Sequence, residues 1–514
     1  MKGETKARVF GSMLVLVGLL ANPWFLAHCF TSGHRIRGSF WPAVIYALEA
    51  LCLVLGGVLL WKPGAVIRRL PASVRIPLRW DVVISCVSAL VLVVLVSFGY
   101  GVAVGEFHHP PYMLCLKAYQ TARVLWLELG LGSALPAHIY RARYEGEGVV
   151  VWDRERACDG VTLITAPWED ESGWNLYIRL IDLDGAVVHQ WRIDPKEIWP
   201  SSPHDDVAAG SKNDKRKTYV HGSVLLPGGD VVFNLEHLGL VRMNPQGEVV
   251  WKLPYRTHHS VFLDTDGKLW VCGGKWHEER CPEFLGCVPP FVEETILKVS
   301  LDGEIEREIS LLKCLYDSGY YPLLFVDQVS NTRDMTHAND AEVLSESQAA
   351  AFDSLEAGDI VTSLRHLNTV LVIDGKTERI KWSMTYPFIG QHDPDFSDDG
   401  VIIVFDNHIG RTDPESDLGG SRILQVDPAT DEVTTIYGRG QGQYFFTSGG
   451  GKQQILPNGN ILITESRAGR VFEVTPSGDV VWSWIAPRWN DRYVPEVMEG
   501  TRYRRDEVEF LKEK

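Results

Sequence analysis

The sequence predicts an all-β six-bladed β-propeller preceded by three transmembrane α-helices. Three observations predict it. Long apolar stretches without charge crowd the N-terminal part of the chain. Beyond about residue 145 the hydrophobic pattern switches to period-two alternation broken by Gly and Asp turns. Two kinds of hairpin then recur along the rest of the chain, as a radial repeat requires.

The membrane part comes first, as residues 1–105. No Asp, Glu, Lys or Arg falls in 9–33 or 82–105, and Glu49 is the lone charge in 38–61. Each stretch has 24 or 25 residues, enough to cross a hydrocarbon core of about 30 Å as a helix. Lys2, Lys6 and Arg8 precede the first stretch, and Lys62, Arg68, Arg69, Arg75 and Arg79 lie between the second and third. The intervening loop has only Arg35 and Arg37. That bias places the N-terminus in the cytoplasm and the chain after the third span outside it. The expectation is a multi-pass protein of the cell inner membrane with its C-terminal domain on the periplasmic, extracytoplasmic side. Residues 106–145 read as a juxtamembrane helix or stalk bracketed by Pro110, Pro111 and Pro136.

Residues 146–490 carry the repeat. One hairpin type is SVLLPGGDVVF at 223–233, SVFLDTDGKLWV at 260–271, DPDFSDDGVIIVFDN at 393–407 and QQILPNGNILITE at 453–465. The other, often ending in Trp, includes IRLIDLDGAVVHQW at 178–191, LVRMNPQGEVVWKL at 240–253 and VFEVTPSGDVVWSW at 471–484. Pairing one of each gives a four-stranded sheet, with units beginning near Gly160, His221, His259, His337, His392 and Lys452. Such units arranged radially make a propeller. Residues 491–514 read as a C-terminal tail. SESQAAAFDSLEAG at 345–358 looks like an inserted helix.

The innermost strand of a blade runs along the central channel, so residues at its start converge. His221, His258 with His259, His337 and His392 stand there in four of the units. Their repetition points to one shared pocket. Composition narrows the partners: 50 basic against 66 acidic residues give a net charge of −16, a poor match to nucleic acid. Neither a metal nor another cofactor is expected on the histidines if Arg365 shares their pocket, since a guanidinium there would repel a cation. Cys281 and Cys287, in one loop, are the easiest disulfide pair, with connectivity open.

Four motifs, THANDAEVL (336–344), GDIVTSLRHLNTVLVID (358–374), GQHDPDFSDDGVIIVFDN (390–407) and GGKQQILPNGNILITESRAGRVFEVTPSGDVVWSW (450–484), closely resemble the arylsulfotransferase family. The likeness covers roughly residues 160–485 and leaves out the N-terminal spans. It implies a six-bladed propeller that moves a sulfuryl group from an aryl sulfate donor to a phenolic acceptor, without a nucleotide sulfate, through a sulfohistidine. It further implies that His392 is the nucleophile and that His337 and Asn339 form the His-x-Asn pair. Arg365 is then the sulfate-binding arginine and His259 a further active-site histidine. Asp393, directly after His392, departs from the family pattern. His258 and His221 line the pocket as substrate-binding or supporting groups, and Asp393 and Asp395 are candidates to orient the His392 ring. Two other readings stay open on sequence alone: an inactive membrane-anchored scaffold propeller, and a metal-dependent lyase or hydrolase on the same fold.

Overall fold

The computed structural model describes residues 138–204, 219–325, 333–412 and 419–513. The chain divides into two compact units, Met1–Ala134 and Leu135–Lys514, and the described residues belong to the second. The three predicted spans lie outside the described residues. Among those described, no helix is long and apolar enough to cross a membrane.

Six antiparallel sheets form the six blades of a propeller. Blade two runs Val220–Leu225, Val231–Leu235, Gly239–Met243 and Val249–Leu253 from first strand to last. Blade three is Arg256–Leu263, Leu269–His277, Phe291–Val299 and Ile305–Ser310. Blade four is Ala338–Val343, Ile360–Leu364, Thr369–Ile373 and Ile380–Met384. Blade five is His392–Phe396, Ile402–Asp406, Arg422–Asp427 and Glu432–Tyr437. Blade six is Lys452–Ile455, Ile461–Glu465, Arg470–Val474 and Val480–Ile485, with Gly148–Trp152 added at its outer edge. Their first strands touch in cyclic order and return to the start, so they line the channel.

Blade one differs from the sequence expectation. Its first strand is Glu499–Tyr503, paired antiparallel to Val161–Asp170 and followed by Gly173–Ile181 and Val187–Ile193. The segment read as a tail thus closes the ring. The gain is physical: without it Val161–Asp170 would present a row of unpaired backbone groups to the channel. Part of the segment read as a stalk also joins the propeller, since Ile139–Arg141 pairs with Tyr493–Pro495. The predicted inserted helix shrinks to the single turn Glu346–Ala349, capped by Ser345 and Gln348.

Each gap between neighbouring blades holds its own apolar core. The tryptophans that end the second hairpin tie the blades together. Trp191 Nε1 donates to Asn244 O of blade two, Trp251 Nε1 to Leu301 O of blade three, and Trp482 Nε1 to Leu183 O of blade one. A buried indole needs such a partner, and the next blade's turn supplies it. Cys281 and Cys287 are free thiols instead of a disulfide. The Cys287 thiol makes its hydrogen bond with Tyr316.

Candidate active site

The channel-lining strands of blades two to five share one irregularity. In each the pairing with the second strand slips between the same two positions: after Val220, His258, Ala338 and His392. A bulge at this point re-aims the side chains around it. His259 and Asp393, just past the slip, and His337, just before Ala338, hold positive φ of 57°, 52° and 50°. Such a backbone costs energy in a non-glycine residue and tends to persist where function requires it.

The bulges bring the histidines together, though from three registers and not from one equivalent position. His221 and His259 follow the slip, His392 stands at it, and His337 precedes it. The rings of His221 and His259 are 4.0 Å apart, His259 and His337 5.0 Å, and His259 and His392 6.4 Å. His258 packs edge-on against His259 at 5.1 Å. All the predicted histidines therefore gather around His259.

A second set of groups comes from one residue past the end of the second strand in blades two, four and five. Glu236 follows Leu235, Arg365 follows Leu364 and Asn407 follows Asp406. Hairpin geometry puts that end beside the start of the channel strand, so His221 and His392 each meet a partner from it. His221 Nδ1 lies 2.7 Å from Glu236 Oε2. Burial alone would raise the Glu236 carboxyl, but His221 and His237 hold it well below its ordinary value. His337 Nδ1 bonds Asp334 Oδ2, whose other oxygen accepts from the His337 backbone N–H at 2.8 Å.

His392 is 5% exposed and has a neutral partner. Its Nδ1 is 2.6 Å from Asn407 Oδ1 and 3.1 Å from Gly390 O. The Asn407 amide nitrogen is fixed the other way, donating to the Thr447 and Gly450 carbonyls at 3.0 and 2.6 Å. Asn407 can only accept from His392, so His392 Nδ1 carries the proton and Nε2 keeps its lone pair. Burial, then the Arg365 charge, push the His392 imidazole well below its ordinary 6.5. The ring is a neutral base within electrostatic reach of a guanidinium.

Arg365 starts a single 3₁₀ turn whose backbone N–H donates to His337 O at 3.1 Å. Its electrostatic neighbours are Arg467 and Asp334. Asn339 points its amide nitrogen at Gln391 O, 2.8 Å away, and so braces the residue before His392. Asp393 and Asp395 do not orient His392: Asp393 takes Lys452 Nζ at 3.2 Å and Gln453 N at 2.8 Å, and Asp395 takes Gln453 Nε2 at 3.0 Å. Asn407 has the orienting role.

Sequence reasoning missed Asn407, Glu236, Asp334, Tyr219 and His138. Tyr219 packs at a tilt between His138, 3.8 Å away, and His221, 5.4 Å away. His138 in turn bonds Glu496 at 2.7 Å. The fixed offset from the second strand is a signal that would have found Glu236 and Asn407. Three groupings bring donors within 4.8 Å of one another: His221, Glu236 and His259; Asp334, His337 and His366; and Asp340, Asp393 and Asp395. In the first His221 pairs with Glu236, in the second His337 pairs with Asp334, and Lys452 supplies the third with a counter-charge. The arrangement offers a neutral nucleophile, a cationic anion-binding group and several imidazole–carboxylate pairs in one pocket. That set suits transfer of an anionic group between oxygen and nitrogen.

Residues 222–487 match the family model described as Arylsulfotransferase (ASST). No curated protein sequence matches the chain. Among solved structures, one of a protein of unknown function from Bacteroides caccae is 13% identical, covering 63% of this chain and 93% of that one, with a TM-score of 0.39. A structure of catalytically inactive virginiamycin B lyase from Staphylococcus aureus with quinupristin is 14% identical, covering 54% and 74%, with a TM-score of 0.31. A streptogramin B lyase structure is 11% identical, covering 70% and 86%, with a TM-score of 0.36.

Proposed function

The chain belongs to the arylsulfotransferase family, and we propose that it moves a sulfuryl group from an aryl sulfate to a phenolic acceptor through a sulfohistidine at His392, without a nucleotide donor. One observation carries the reading: the hydrogen bonds of Asn407 leave the His392 Nε2 lone pair free beside Arg365. That lone pair attacks sulfur in line, and the S–O bond breaks with its electron pair going to the aryl oxygen. Charge spreads over the equatorial oxygens, as in phosphoryl transfer. Arg365 offers those oxygens a planar fork of donors. His259 or His337 supplies a proton to the departing oxygen. The acceptor hydroxyl then attacks the sulfohistidine, and His392 Nε2 recovers its electron pair. His221 and His258 support the pocket wall. The N-terminal apolar stretches fit a membrane anchor that places this chemistry on the extracytoplasmic side.

Replacing His392 by Asn should abolish turnover of 4-nitrophenyl sulfate while the far-ultraviolet circular dichroism stays that of the wild type. Incubation of wild-type protein with donor and no acceptor should leave a sulfuryl adduct on the peptide containing His392. Full activity in the variant, or an adduct elsewhere, would overturn the assignment.

A further inference from the structure

Exposed aromatic side chains are confined to one end of the propeller. Among the described residues they are Tyr321, Phe325, Tyr386 and Tyr444, and each lies in a connection from the last strand of one blade to the channel strand of the next. Channel strands start at the histidines and second strands return to them. Every such connection, and every link from a second to a third strand, therefore emerges at the histidine end. The link 278–290 of blade three is one of these, and its Leu285 and Val288 are 75% and 71% exposed. The link is ordered, since Phe284 and Cys287 are buried in the neighbouring core, and their N–H groups donate to Cys281 O and Phe284 O. Turning those two residues inward leaves Leu285 and Val288 facing out. Gly286 lies so close to the Phe325 ring that a Cβ would sit 2.5 Å from it. Phe325 in turn meets Tyr321 edge-on at 6.4 Å. Leu285, Val288, Tyr321 and Phe325 thus make one apolar patch, and a continuous patch of this kind marks an interaction surface.

We propose that the histidine end of the propeller docks on a lipid bilayer and takes amphiphilic aryl sulfates and phenols from it. The choice of substrate rests on the sulfuryl-transfer reading above; the docking does not. The point at which the chain enters the propeller selects the occupant. Ile139–Arg141 is held at this same end: His138 O accepts from Glu496 N at 2.8 Å, and the next residue, Val497, donates its N–H to Ser466 O, just past the second strand of blade six. Ahead of His138 the sequence holds three apolar stretches of 24 or 25 residues, a length that suits a hydrocarbon core. The chain therefore reaches the propeller from its apolar part at the end that carries the patch. Tyrosine suits the headgroup layer, where an apolar ring and a polar tip are both satisfied. Beside the patch the exposed charges of 278–283 are Glu278, Glu279, Arg280 and Glu283. Three acids against one base give no attraction to anionic lipid, so burial of Leu285, Val288 and Phe325 is what holds the surface down. A mouth beside that layer meets molecules whose sulfate or hydroxyl lies among the headgroups and whose tail lies beneath.

The test reconstitutes the full chain in phosphatidylcholine vesicles containing a phosphatidylcholine with a diazirine in its acyl chain. After irradiation, mass spectrometry should find lipid on the peptides holding Leu285, Val288 and Tyr321–Phe325. Changing Leu285→Asp and Val288→Asp together should lower that label at least about tenfold, because two aliphatic side chains leave the lipid. Label confined to residues 1–105, or no label at all, overturns the docking, and a second copy of the chain covering the patch would give that result. With 4-dodecylphenyl sulfate carried in the vesicles, the same variant should lose at least about tenfold in kcat/KM. Dissolved 4-nitrophenyl sulfate should be turned over as by the wild type. An equal effect on both donors overturns delivery from lipid. A wild type that labels as expected but transfers no sulfuryl group from any donor overturns the sulfotransferase reading instead and leaves the docking surface standing.

Discussion

Replacing Asn407 by Ala separates orientation from binding. The wild-type His392 Nδ1–H has two acceptors, Asn407 Oδ1 at 2.6 Å and Gly390 O at 3.1 Å. The variant keeps the second. A net hydrogen bond is worth about 0.5–1.5 kcal/mol, so the reactive tautomer loses that much of its advantage. The expected fall in kcat/KM is about 2- to 12-fold, all of it in kcat. KM should hold, because Asn407 is turned towards His392, Thr447 and Gly450 and not towards a substrate. Stability changes separately. The Thr447 and Gly450 carbonyls lose their amide donor, which costs about 1–3 kcal/mol. At about 2.1 cal/mol/K per residue over roughly 370 residues, that lowers Tm by about 1–4 °C. Continuous release of 4-nitrophenol near pH 8 (about 1.5 units above an ordinary imidazole) measures the first effect, and scanning calorimetry the second. An N407A enzyme with unchanged kcat would show that Asn407 does not set the ring. A loss beyond about 10³-fold at normal Tm would mean that Asn407 meets the reacting group itself.

Four further variants test the electrostatics. Burial first and Arg365 second hold His392 below 6.5, so the neutral nucleophile persists as the medium acidifies. R365M should move the acid limb of kcat/KM upward, whereas R365K should leave the limb in place yet lose about tenfold or more in rate with the fork; coincident limbs for R365M and wild type would refute the coupling. Glu342 is pushed up to about 8, mainly by burial, with Asp340 and Asp393 adding to it and Asp395 opposing. The folded chain thus keeps a proton that the unfolded chain has lost, and stability falls as pH rises from the ordinary 4.5 towards 8. E342Q should melt higher than wild type above about pH 8 and converge with it near pH 5, and parallel Tm curves would refute this. Arg502 pairs with Glu473 at 3.3 Å, the two side chains being 2% and 0% exposed. R502M strands that acid and should cost about 3–5 kcal/mol in urea titrations, with the rate per folded molecule unchanged.

The blades were legible because their turns are written locally. LPGGD at 226–230 puts Gly229 at φ 87°, and alternating apolar residues on each side mark the strands. The gathering of His221, His259, His337 and His392 was legible from the repeat for the same reason. The register of each was not, since a bulge is set by how a channel strand meets its neighbours and leaves no pattern in the chain. Asn407 escaped notice because an Asn after a strand looks like any turn residue until the strand ends are fixed. Glu499–Tyr503 escaped notice because EGTRY is short, polar and without a hairpin partner. Its partner, Val161–Asp170, lies at the far end of the repeat.

That distant pairing has a consequence for biosynthesis. A ribosome makes Val161 long before Tyr503, yet the two stand opposite each other in the finished ring. During translation the first blade lacks its channel strand, and the circle of histidines has no closed wall behind it. The chamber proposed for sulfuryl transfer therefore closes only once Glu499–Tyr503 is made, and a nascent chain stalled before Glu499 carries every group named for the proposed reaction but no sealed chamber in which to use them.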